Sequence, residues 1–471
     1  KPTHERGTEG GRGSPPPKNL PTEAIEMINQ QPPNQFRQIA LLLLVVWLAS
    51  AMAGCGPAPT PIEAPAKPPT IVPTTAPTAP ASTPISSVPA ENQGRSTPVF
   101  EAESGQPLAL IHGTLIDGTG ADPLPDAALL IQQGLILAVG PRAEVEVPVD
   151  ARIIDLQGAT ILPGFINAHV HLGYSEHNLQ AWAEAGVTTV RDLGTAPASD
   201  LFSRRDELLK DNRNARLVAA GPLVTVPDGY PMVPWGLQGL AVTSAQDAAL
   251  KVNQLLDDGA DVIKIALESG YLFETNIPVL SAQEAATVVK VAHERGTMVS
   301  AHVTAAQDLG LALDAGVDDI AHMITNNLSP QLVEGMLEND VYWVPTLELW
   351  KGVGGFDRQA VANLRKFVEA GGKVALGTDY AGYSSEFDLG MPITEMELMG
   401  EAGMTPMQII LAGTQNAAHV CNLDRELGTL ETGKIADVLV VDGNPLEDIH
   451  ALTDARIVIH NGVVIRGGNE E

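Results

Sequence analysis

Two cysteines, Cys55 and Cys421, in 471 residues cannot build a disulfide framework, so the fold must rest on packing. Basic residues are scarce too: 28 Lys and Arg stand against 57 Asp and Glu, a net charge of −29. Such a surface repels phosphate backbones and argues against a nucleic-acid partner. The apolar run Ile39 to Gly54 (IALLLLVVWLASAMAG) falls short of the roughly 20 residues that span a bilayer.

That run follows Arg37 and suits the apolar region of a secretory signal. Ala53 and Gly54 stand directly before Cys55, an arrangement that resembles the lipobox of bacterial lipoproteins. The resemblance implies cleavage before Cys55, lipid attachment to it, and an exported protein anchored on the extracytoplasmic side of a bacterial membrane. An uncleaved anchor helix would tether the chain equally well. Lys1 to Glu26 is polar and unlike a signal, and Met27 reads as the start, so 1–54 reads as an upstream segment plus signal. Gly56 to Pro98 holds twelve prolines and no aromatic residue. It cannot bury enough apolar surface to offset its ordering entropy. Residues 55–99 are therefore expected to be a tether reaching on the order of 100 Å, at about 3.1 Å per residue.

From Leu108 short strands and tight turns begin. Ala128 to Gly140 reads as a hairpin broken at Gln133-Gly134. The same texture returns at Ala436–Asp442 and Ala455–Arg466, so 100–162 and 426–471 are expected to complete one small β-sandwich. Between them, 163–425 alternates apolar runs with amphipathic segments, the rhythm of a parallel sheet. Eight strands are expected: Phe165–Val170, Thr188–Arg191, Leu217–Ala220, Val262–Ala266, Met298–Ala301, Asp319–Ala321, Tyr342–Pro345 and Val374–Gly377. Ser281-Ala-Gln-Glu284 is a capping box opening one intervening helix. Eight such units in about 260 residues predict an α/β fold, a (β/α)8 TIM barrel beside the sandwich.

Functional groups of such a barrel collect at the C-terminal strand ends. Those ends carry His169 and His171, Lys264, His302, His322 and Asp379. His169 and His171 are two apart on one strand and share a face, half of a metal site. Lys264 shares a face with Val262 and Ala266, and burial there would favour its neutral amine.

The order and spacing of these residues resemble the amidohydrolase superfamily. The resemblance runs from about 107 to 466 and includes the closing segment Gly428 to Val438. Within that superfamily the set is most similar to the imidazolonepropionase-like and Xaa-Pro-dipeptidase-like branch with two metals. The resemblance implies a carbamate, formed from CO2 on Lys264, bridging two divalent ions, zinc first, with manganese, cobalt or iron open. His169, His171 and Asp379 would hold one ion, and His302 and His322 the other. A bridging water made hydroxide would attack a small-molecule or short-peptide amide, and Asp379 would pass its proton to the leaving group.

Tyr230, in the loop after the third strand, is a candidate donor to the tetrahedral oxyanion, or else an apolar wall with Trp235. His112, His177, His293, His419, His460 and Cys421 are read as surface or packing residues. The loop Leu267–Glu274 contains no arginine to clamp a carboxylate, and its two glutamates argue against a strongly anionic substrate. Tyr380 stands where the resemblance implies a small residue, and is expected to narrow the pocket beside Asp379. A mononuclear deaminase would leave Lys264 idle and want a glutamate beside His302, where the local sequence has none. A lactonase or esterase would suit the same residues, and so would a lipid-tethered binding protein that has lost catalysis. Self-association into a homo-oligomer stays open.

Overall fold

The computed structural model describes residues 105–351, 356–381 and 387–467. The expected signal, lipid site at Cys55 and tether therefore lie outside the described residues. Among the described residues no helix is long and apolar enough to cross a membrane.

Strands β1 (Leu108–Leu115), β2 (Leu124–Gln132) and β3 (Leu135–Pro141) form an antiparallel meander. Gln133 and Gly134 both adopt positive φ, 52° and 81°, as the tight turn predicted there requires. β4 (Arg152–Asp155) and β5 (Thr160–Pro163) lie parallel to β1, β4 on its first half and β5 on its second.

The middle of the chain supplies two parallel sheets. β6 (Phe165–Val170), β7 (Val187–Asp192) and β8 (Arg216–Ala219) form one. The other contains β9 (Val224–Thr225), β10 (Leu240–Ala241), β11 (Ile263–Ala266), β12 (Val299–His302), β13 (Asp319–Ala321) and β14 (Tyr342–Val344). Its order is β10-β9-β11-β12-β13-β14. Helices α1 (Glu176–Glu184), α2 (Leu201–Leu208), α3 (Ala245–Asp257), α4 (Ala282–Glu294) and α5 (Ala306–Ala315) follow β6, β7, β10, β11 and β12 in turn. The capping box at Ser281 is formed, and α5 stops at Gly316 in the left-handed region, φ 81°.

The sequence predicts one closed eight-stranded sheet; two sheets are found. Residues Val374–Gly377 make no laddered strand, only an isolated bridge from Val374 to Trp343. Backbone hydrogen bonds still tie this segment on both sides, Ala375 to Trp343 (2.9 Å) and Ala168 to Leu376 (2.7 Å). The chain leaves strand geometry at Asp379 (φ 60°), which prevents a longer ladder. At the opposite edge, the Asp261 amide donates to the Ala219 carbonyl at 2.9 Å.

β15 (Val438–Val441), β16 (Ala455–His460) and β17 (Val463–Arg466) return to the first sheet, with β15 antiparallel to β5. The two chain ends thus complete each other, as one eight-stranded sheet, β17-β16-β15-β5-β1-β2-β3 with β4 beside β1. Residues from both ends, including Leu129, Ile161, Val440 and Ile457, share one apolar cluster. A larger cluster, with Trp182, Trp343 and Phe367, packs the helices on the parallel strands. Truncating such an aromatic to Ala costs about 3–5 kcal/mol, enough to threaten the fold.

Candidate active site

β6 delivers His169 at its end, with His171 just beyond. The segment carrying Asp379 is clipped to this strand by its own backbone. The Asp379 amide donates to the His169 carbonyl at 2.8 Å, and the His171 amide to the Tyr380 carbonyl at 2.9 Å. Asn167 reinforces the clip, its Nδ2 donating to Thr378 Oγ1 at 3.0 Å while its Oδ1 accepts the Thr378 amide at 3.2 Å. Gly377 permits the approach: a Cβ there would sit 2.9 Å from the His169 backbone nitrogen.

Asp379 Oδ1 therefore lies 3.0 Å from His171 Nε2 and 3.2 Å from His169 Nε2. These three side chains offer ligand atoms all within 4.8 Å of one another. His322 Nδ1 is 4.0 Å from Asp379 Oδ2. The imidazole centroids of His302 and His322 are 4.4 Å apart, and those of His169 and His322 4.7 Å. Lys264 is 1% exposed, with Nζ 3.5 Å from Ser300 Oγ. All six residues line one cavity of about 550 Å3, with Tyr230. Asp379 and His322 hold positive φ, 60° and 73°, a strained geometry for side-chain-bearing residues that clusters at functional sites.

Electrostatics follow from burial. Loss of water, then the nearby Lys264, holds the imidazoles of His169 and His302 well below their ordinary range, hence neutral. Burial does the same to His322, helped by His302 and Lys264. Burial also lowers Lys264, to about 7, against the pull of Asp319. For His171 burial again opposes charge, but the Asp379 carboxylate at Nε2 outweighs it and raises the pKa to about 9. His171 Nδ1 donates to the Gly194 carbonyl at 3.0 Å, which turns Nε2 toward Asp379.

The donor set fits divalent metal. His169 Nδ1 and His302 Nε2 are buried without hydrogen-bond partners, an arrangement that burial normally forbids. The neutral imidazoles of His169, His302 and His322, beside the Asp379 carboxylate, are ligands suited to zinc and its neighbours.

Tyr230 stacks on His302, centroids 4.1 Å apart and planes at 28°, in a small apolar cluster with Leu223, Ala266 and Ile277, against which Trp235 packs. The histidines and the cysteine read from the sequence as surface or packing residues stay outside the cavity. His177 is exposed on the first turn of α1, His293 faces Asp318 at 2.9 Å, and His112 faces Asp155 at 3.1 Å. His419 stacks on Tyr342, His460 contacts the Asn212 carbonyl, and Cys421 is buried. Tyr380 packs edge-on against Trp182.

One expectation about glutamate needs correction. The structure brings a glutamate to His302 after all: Glu268, from the loop after β11, lies 3.9 Å from Nε2. It comes from a neighbouring strand end, so no spacing around His302 could reveal it. Glu268 is fully buried, accepting bonds from the Thr304 hydroxyl and the Gly270 amide (2.7 Å). Sequence reasoning missed three more residues. Arg191 and Asp319 pair beneath the site, and Arg204 lines the cavity from α2. Arg191 follows an apolar strand run and signals itself only as a charge at an inward position.

Comparison with known proteins accords with this geometry. The amidohydrolase family pattern matches residues 160–468. An ochratoxinase from Aspergillus niger is 25% identical over 446 residues, covering 81% of this chain and 90% of the relative. An imidazolonepropionase from Symbiobacterium thermophilum is 27% identical over 369 residues, covering 68% and 84%. The crystal structure of a Xaa-Pro dipeptidase with methionine in its active site superposes with a TM-score of 0.68 at 26% identity, covering 77% of this chain and 100% of that one. Family pattern, relatives and cavity agree: the chain belongs to the amidohydrolase family, on its imidazolonepropionase-like branch, and is a hydrolase acting on carbon–nitrogen bonds.

Proposed function

We propose that this protein hydrolyses the amide or peptide-like C–N bond of a small molecule or short peptide, with Asp379 as general base and then general acid. The observation that carries the reading is the convergence of His169, His171, Lys264, His302, His322 and Asp379 on one cavity. His169, His171 and Asp379 would hold one divalent ion, His302 and His322 a second, and a carbamate on Lys264 would join them. Zinc suits these ligands best. Bound there, the ions would supply an acidified water and a Lewis acid for the substrate carbonyl.

The chain's own groups do the rest. Asp379 takes a proton from the attacking water and returns it to the departing nitrogen. Tyr230, fixed against His302, presents its hydroxyl to the developing oxyanion. Burial of Lys264 favours the neutral amine that carbamate formation requires. The two parallel sheets are read as one (β/α)8 barrel, with seams at Asp261 and at Val374–Tyr380. The lipobox-like segment at Cys55 is proposed to anchor the enzyme outside the cytoplasm.

Glu268 beside His302 is an observation that favours a mononuclear deaminase. Its carboxylate is tied to Thr304 and Gly270, however, and that reading leaves Lys264 without a role. Assay of the zinc-loaded protein on dipeptides, N-acyl amino acids, lactones, cyclic ureas and aminopurines separates the readings. Chelator-sensitive cleavage of an amide supports the proposal. Ammonia release from aminopurines, or turnover of lactones alone, overturns it.

A further inference from the structure

We propose that Arg204 selects substrates carrying a carboxylate, so that the cavity takes amides with a free acid group at one end and an apolar group at the other. This rests on the hydrolase reading and names the substrate class of the same site.

Arg204, on α2, lines the catalytic cavity together with His171, Asp192 and Asp379. Its Nη2 donates to the Tyr174 carbonyl at 3.2 Å, and its Cζ stands 6.0 Å from the Tyr174 ring centroid. These contacts steady the guanidinium and leave most of its five N–H donors unspent. Among the described residues no carboxylate pairs with it. The adjacent Arg205 differs sharply, being neutralised by Asp206 and Asp261, each at 2.7 Å.

The acids in the cavity wall do not serve Arg204 either. Asp192 is occupied by the Gly173 amide (3.0 Å), the Gly194 amide (3.1 Å) and the Thr195 hydroxyl (2.9 Å). Asp379 sits among the imidazoles. A guanidinium with no counter-charge, facing a concave site in a chain of net charge −29, is a specific point of attraction for an anion. Its planar fork matches a carboxylate by two parallel hydrogen bonds, which a lysine could not reproduce.

The apolar end is visible as well. Leu172 and Leu237 line the same cavity while 61% and 58% exposed, beside Leu223 and Pro231. Large apolar side chains left open at a concave site mark a binding surface. The volume of about 550 Å3 suits a molecule the size of an N-acyl amino acid or dipeptide. The loop after Lys264 holds no arginine; the fold supplies one from α2 instead.

The test uses a matched pair, N-acetyl-L-leucine and its neutral carboxamide N-acetyl-L-leucinamide. Binding of each is measured by calorimetry to the full, metal-free chain, so that no turnover intervenes. Hydrolysis is measured separately on the metal-loaded protein. The wild type should bind the acid about ten- to hundredfold more tightly than the carboxamide, the usual worth of hydrogen bonds to a charged group. In Arg204→Met the ratio should fall to about one, and Arg204→Lys should restore part of it. A wild-type ratio near one, or a preference that survives in Arg204→Met, overturns the proposal. If the preference depends on Arg204 but no amide is cleaved, the hydrolase reading fails and carboxylate recognition stands.

Discussion

Arg191 and Asp319 form a bidentate ion pair, Nη1 to Oδ2 at 2.8 Å and Nη2 to Oδ1 at 3.1 Å, with neither side chain exposed. The same guanidinium donates to the Ala168 carbonyl at 2.6 Å, next to His169, and to the Val420 carbonyl at 2.8 Å. Asp319 Oδ1 also accepts the Ser300 hydroxyl at 2.6 Å, and Ser300 is the neighbour of Lys264. The pair is thus the floor on which β6, β13 and the lysine strand are held in register. Arg191→Met leaves a buried carboxylate uncompensated and should lower stability by about 3–5 kcal/mol. Replacing both partners, Arg191→Met with Asp319→Leu, should cost less than the single change. Urea unfolding measures both, and a single variant within about 1 kcal/mol of wild type would remove the pair from this role.

Tyr230 touches the site through its ring as well as its hydroxyl, and the two can be separated. Tyr230→Phe keeps the stack on His302 and removes only the hydroxyl. If that hydroxyl serves the oxyanion, kcat should fall by about 10²–10³ with metal content unchanged. An unaltered kcat would leave Tyr230 as an apolar wall.

A third expectation concerns acid. Asp437 ties β15 to β8, its Oδ2 2.8 Å from Arg216 Nη1, while its Oδ1 accepts the Asn461 amide at 2.8 Å. Burial alone would raise its pKa, but the charges of Arg216 and His460 and these hydrogen bonds outweigh burial and hold it below the ordinary 3.8. A carboxyl lowered in the folded state stabilises it fully above the unfolded value of 3.8 and loses that contribution as pH falls through the folded value. The stability gap between wild type and Asp437→Asn should therefore stay constant from neutral pH down to about 5 and close below 3.8. A gap that persists in strong acid would contradict this.

Much of the site is legible in the chain alone, because strand ends announce themselves. His169, Lys264, His302 and His322 each close or follow a short apolar run, and the βα rhythm requires those ends to meet on one side. The joining of the two chain ends is legible for a similar reason, since β5 and β15 are apolar runs that neither end could cover alone. The remainder depends on contacts between distant segments. Arg191 finds Asp319 across 128 residues, and Glu268 reaches His302 across a strand pair. Arg204 enters the cavity from α2, and no motif in the sequence around it points there. The eighth segment departs from expectation because Val374–Gly377 has strand-like residues, while the turn at Asp379 cuts its pairing short.

The central claim is that Lys264 joins two cations which the histidines and Asp379 hold. The most direct measurement is the metal content of zinc- and bicarbonate-treated wild-type and Lys264→Met protein, by elemental analysis against protein concentration, with intact mass recording the carbamate. The account predicts about two ions per wild-type chain, with the mass of a bound CO2 on Lys264, and about one ion or fewer in the variant. A wild type that holds a single ion and an unmodified Lys264, or a variant that keeps both ions, would contradict it.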